Sequence, residues 1–107
     1  MARLANLTIR GSGTYYARIF PPVDLSDRIL KREFLRSLRT KDQSEAAYRL
    51  GIYRAGISRL FDMAHAQPTL GTELIDLMEQ RIYAHAVGRY TSVRDYARLP
   101  DRQRTLI

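Results

Sequence analysis

Arginine interleaved with aromatic residues marks the stretch best suited to chemistry. Tyr15-Tyr16-Ala17-Arg18-Ile19-Phe20 follows a Gly11-Ser12-Gly13 turn, with Arg10 just before the turn and Arg36 further along. A strand alternates its side chains, so Tyr16, Arg18 and Phe20 share one face while Tyr15, Ala17 and Ile19 take the other. If the first set faces outward, with Arg10 across the turn and Arg36 on a third segment, the result is a basic platform. Its guanidinium groups suit phosphate oxygens and the O6/N7 edge of guanine. The opposite assignment puts Tyr16 and Phe20 in the core and exposes Tyr15, and alternation alone does not choose between them.

The charge distribution points to the same chemistry. Of the 107 residues, 18 are Lys or Arg and 11 are Asp or Glu, a net charge of +7. Nine of the basic residues (Arg3, Arg10, Arg18, Arg28, Lys31, Arg32, Arg36, Arg39 and Lys41) fall within the first 41 positions, against Asp24, Asp27 and Glu33. A one-sided positive field attracts polyanions, because each phosphate neutralised releases condensed counterions. The same surface also serves solubility.

Other chemistries find less support. With no cysteine, thiolate metal sites, disulfides and a cysteine nucleophile are excluded. His65 follows Asp62, and His85 lies downstream of Asp76 and Glu79, but neither has the HxxxH or HxxE spacing of a ligand set. A histidine near a helix C-terminus is favoured by the dipole alone. The Gly11–Gly13 turn lacks both GxGxxG and a following Lys-Ser/Thr, so it reads as a hairpin and not a phosphate loop. No metal and no cofactor is expected.

The elements that must position these residues are legible as α+β. Leu4 to Arg10 and Thr14 to Phe20 alternate as strands across the glycine turn, and Pro21-Pro22 stops the second. Residues 23–30 read as a connection with one helical turn near Ser26. Lys31 to Leu38 is taken as a third strand that completes the hairpin's apolar face. Thr40 or Asp42 caps a helix over about 42–66, with Glu45 in its first turn and an apolar stripe through Ala46, Leu50, Tyr53, Ile57 and Ala64. Gly51 and Gly56 interrupt this helix, and close approach of another element, the sheet, is expected there. After Pro68, Thr69 or Thr72 caps a second helix over about 73–87, with Leu74, Ile75, Met78, Ile82 and Ala86 as its apolar face and Gly88 at its end. The expected unit is a single α+β domain over 1–88, a small three-stranded antiparallel sheet packed on a long helix with a second helix following. A basic tail over 89–107 is expected to be mobile or to need a partner. No apolar run of transmembrane length appears, and a cytoplasmic protein is expected.

The pattern GSGTYYARIFPPVDL followed by KREFLRSLRTKDQSEA resembles the N-terminal region of phage-type tyrosine recombinases, the integrases, over about residues 4–66. Gly13, Tyr15, Tyr16, Arg18 and Pro21 carry the first part of the likeness, and Ser37, Leu38, Thr40, Asp42, Glu45 and Ala46 the second. What the resemblance implies is a three-stranded sheet on a helix that binds accessory arm-type DNA sites through the major groove. Family members continue into core-binding and catalytic domains whose motifs are absent from these 107 residues. The chain is therefore expected to be either a fragment of a longer recombinase or a free-standing relative, and not an enzyme by itself. Double-stranded DNA is the expected partner, with Arg3, Arg10, Lys31, Arg32, Arg39 and Lys41 on phosphates and Arg18, Arg36 and Tyr16 at base edges. A homodimer or a recombinase partner, a protein-interaction role for the two apolar helices, and a small excision factor are the alternatives.

Overall fold

The computed structural model describes residues 6–88. Two short strands, β1 (Leu7–Ile9) and β2 (Tyr15–Ile19), form the hairpin. Gly13 turns the chain with a φ of +90°, the left-handed region that a side chain disfavours. The turn is closed by bonds from Arg10 N–H to the Thr14 carbonyl (3.0 Å) and from Gly13 N–H to the Arg10 carbonyl (2.8 Å). β3 (Phe34–Ser37) pairs antiparallel with β2, giving the sheet order β1-β2-β3. The register sets Leu7 and Arg36 opposite Ala17, Thr8 and Ser37 opposite Tyr16, and Leu35 opposite Arg18.

This register sorts the side chains. Ala17, Ile19 and Phe34 are buried on the inner face, and Leu38 just beyond β3 joins them. They meet α1 (Gln43–Ala66), whose Ala46, Leu50, Tyr53, Ile57, Leu60 and Ala64 recur at spacings of three and four and are all buried. Asp42 is the cap of α1, accepting from Glu45 N–H at 2.8 Å, while the Thr40 hydroxyl accepts from Asp42 N–H at 3.0 Å. Both expected capping candidates thus contribute, in series.

α2 (Thr72–Val87) folds back on α1 to form the helical hairpin. Its start departs from the expectation in one respect. The residue preceding it is Gly71 and no side chain caps it, because the Thr72 hydroxyl instead donates to the Arg28 carbonyl at 2.8 Å. Arg28 in turn donates to the carbonyls of Ala64 (2.6 Å) and Gln67 (2.9 Å), placing a cation where the dipole of α1 ends. The stretch after β2, with its 3-10 turn at Val23–Leu25, is therefore tied to the α1–α2 connection.

The two helix glycines behave differently from one another. An added Cβ at Gly56 would sit 2.5 Å from Cγ2 of Ile82, so this glycine admits α2 and not the sheet. At Gly51 a Cβ would meet nothing within 4 Å, and the residue serves no close approach. Among the described residues no helix is long and apolar enough to cross a membrane. The expected strand residues 4 and 5 and the tail over 89–107 lie outside the described residues.

Candidate nucleic-acid interface

The outer face of the sheet is built by the alternation of β2. Ala17 and Ile19 turn inward, so Tyr16, Arg18 and Phe20 turn outward, and Phe20 is 59% exposed. Thr8 and Ser37 flank Tyr16, and Leu35 flanks Arg18. The guanidinium of Arg10 stands 5.2 Å from the Tyr16 ring centroid, and that of Arg18 stands 5.2 Å from the Phe20 ring, both in cation–π range. Glu33 accepts from Arg18 Nε at 2.8 Å. This bond uses Nε alone, leaving Arg18 two further nitrogens able to fork onto an anion or a guanine edge.

Further cations gather at the two ends of β2. At the hairpin end, Lys41 is exposed beside the turn, where Tyr15 N–H donates to the Thr40 carbonyl at 3.0 Å, while the exposed Arg39 turns its guanidinium to the helix side, 5.8 Å from the Tyr83 ring of α2. The turn following β3 is held from beneath by Arg49, itself 6% exposed, which donates to the carbonyls of Leu38 (2.6 Å) and Arg39 (3.0 Å). Arg39 is left-handed at φ +56°, with its N–H donated to Ser37 Oγ at 3.1 Å. At the far end, Lys31 and Arg32 are exposed on the approach to β3, and the Lys31 ammonium lies 5.8 Å from the Phe34 ring. Four steps of strand separate these ends, roughly 14 Å at the usual rise of about 3.4 Å per residue.

Arg36 is a correction. It was expected beside Arg18 and Tyr16, but it lies opposite Ala17 and so faces the helices. There it forks onto Glu79 of α2, with Nε at 2.8 Å from Oε2 and Nη2 at 2.6 Å from Oε1. The Tyr53 hydroxyl donates to the same Oε2 at 2.7 Å, and Glu79 is fully buried. Burial alone would raise the Glu79 carboxyl, but the bonds from Arg36 and Tyr53 outweigh it and hold the group below its ordinary range. The bond to Glu79 raises Arg36, and burial followed by its own bond to Glu79 raises the Tyr53 phenol. Tyr83 completes the cluster, its ring 4.5 Å from the Arg36 guanidinium and its hydroxyl donating to the Ser37 carbonyl at 2.7 Å. The cluster is a lock between β3, α1 and α2.

Sequence reasoning missed this lock, although a signal was present. Glu79 falls in step with Ile75, Ile82 and Ala86, so a carboxylate sits on the apolar stripe of α2 and requires a buried cation. The histidines are placed apart. Nε2 of His65 lies 2.9 Å from Asp24 Oδ2, and His85 is exposed. Among the described residues no three His, Asp or Glu side chains converge to hold a metal ion. Arg3 lies outside the described residues.

Comparison with known proteins gives one match. No curated protein and no solved structure matches the chain. The matching family covers residues 6–66, which is the three strands and the whole of α1, and leaves α2 outside. On that match, over more than half of its length, the chain belongs to the family described as domain of unknown function DUF6538.

Proposed function

We propose that this protein is a non-enzymatic module that binds double-stranded DNA through the outer face of its sheet, as the N-terminal region of an integrase would. The observation that carries the reading is the outer face itself. Arg10 and Arg18 are braced on aromatic rings there, and exposed Arg32 and Lys41 stand toward the two ends, while Arg39 and Lys31 lean on Tyr83 and Phe34 of the helix side. β2 itself spans roughly 14 Å at the usual strand rise, a size that suits a major groove about 12 Å wide. Phosphates at the groove walls would meet the end cations, while Tyr16 and Arg18 reach toward base edges. Arg36 has no part in this reading, because its guanidinium is spent on Glu79.

The test is fluorescence anisotropy of a labelled random-sequence duplex against salt, comparing wild type with the triple variant R10A/R32A/K41A. Each lost phosphate contact should lower the log–log slope by about 0.9, so the variant is expected to be shallower by about 2.7. All three residues are solvent-exposed, and an unchanged thermal melt would show that the fold survives. No binding by wild type at low salt, or an unchanged slope in the variant, overturns the proposal.

A further inference from the structure

The solvent side of α2 carries apolar residues that the core does not use. Leu74 is 48% exposed and Leu77 57%, although Leu74 was expected on the buried face. Leu74, Leu77, Arg81 and Ala84 follow one another at spacings of three, four and three, which is the seam of a helix that packs on another helix. They line a hollow of about 380 Å³ along the outside of α2. A second hollow of about 280 Å³, between the two helices, is lined by Met63, Met78, Arg59 and Arg81. Neither Arg59 nor Arg81 makes an ion pair among the described residues.

Charge on this face is polar along the helix axis. Glu73 stands at its N-terminal end and Arg81 two turns later, with Leu77 midway between them. A second copy laid antiparallel sets Glu73 of each helix beside Arg81 of the other and brings the two Leu77 side chains together. A parallel copy would set Arg81 against Arg81. We infer that α2 is an isologous dimer interface, in which two copies of this chain pack antiparallel through Leu74 and Leu77 and are registered by reciprocal Glu73–Arg81 pairs. The inference is independent of DNA binding, which uses the opposite side of the sheet from the helices.

Sedimentation equilibrium of the full chain over a micromolar to millimolar series tests it. Wild type is expected to show a concentration-dependent dimer. L77D should be monomeric throughout, with the melting temperature that wild type shows at dilutions where it too is monomeric, since Leu77 is not part of the core. R81E should weaken the dimer about tenfold, because each of two symmetric pairs becomes a repulsion. The double reversal E73R/R81E should recover most of that loss, which a merely sticky apolar face would not do. A wild-type monomer at every concentration, as when another segment or a different partner covers the face, overturns the inference. So does a double reversal as weak as R81E.

Discussion

At the scale of single residues, the determining feature is one carboxylate. Glu79 is held by two bonds from Arg36 and one from Tyr53, and its removal leaves a partly buried guanidinium with no counter-charge. E79Q is expected to cost about 3 kcal/mol at neutral pH, read from urea unfolding, with R36M less damaging than R36A because it keeps the packed volume. The pH dependence has a definite sign. The folded carboxyl titrates below its unfolded value near 4.3, so its stabilisation is complete above that pH and is lost as pH falls through the lower folded value. The melting temperature of E79Q should accordingly fall less steeply than that of wild type below about pH 4. The same residues show what a sequence can disclose. Alternation along β2 separates Ala17 and Ile19 from Tyr16 and Arg18 without ambiguity of period. The side of the sheet taken by Arg36 depends on the pairing of β3 with β2, and a slip of one residue would have put it with Arg18. That register comes from Phe34 and Leu38 entering the core on either side, which lies beyond local pattern.

At the scale of elements, strands and helices fall close to where spacing and caps put them, because each has its own local signal. The α1 stripe, the Asp42 cap and the Pro21-Pro22 stop are all in the letters. How the elements touch is not. The two glycines of α1 read identically in sequence, yet they predict opposite outcomes. G51A meets open space and should stabilise by about 0.5–1 kcal/mol through helix propensity. G56A meets the branched side chain of Ile82, whose Cγ2, Cγ1 and Cβ all lie within 3.4 Å of the added carbon, and should destabilise by about 1–2 kcal/mol net. Thermal melts of the two single variants and of G56A/I82A would check both signs, with the double variant showing coupling between the two sites.

At the scale of the whole molecule, the two surfaces face different ways, and their properties should separate experimentally. The sheet face is charged, so the proposed DNA binding should be salt-sensitive, while the α2 face is apolar and carries only Glu73 and Arg81 for the two reciprocal pairs of the proposed dimer. If both are used together, a dimer presents two sheets, and a duplex long enough to engage both should bind wild type more tightly than a short one. L77D should abolish that length advantage while leaving short-duplex affinity unaltered, as anisotropy on duplexes of two lengths would reveal. The buried carboxylate also governs the order in which the chain assembles. Glu79 gains nothing by leaving water until Arg36, on a paired strand, and Tyr53, on a formed helix, are both in place to receive it. The docking of α2 is therefore expected after the barrier, with its interactions absent from the transition state. E79Q should speed unfolding in a stopped-flow experiment while leaving the folding rate almost untouched. On that outcome this one side chain sets the lifetime of the native state more than the speed of reaching it.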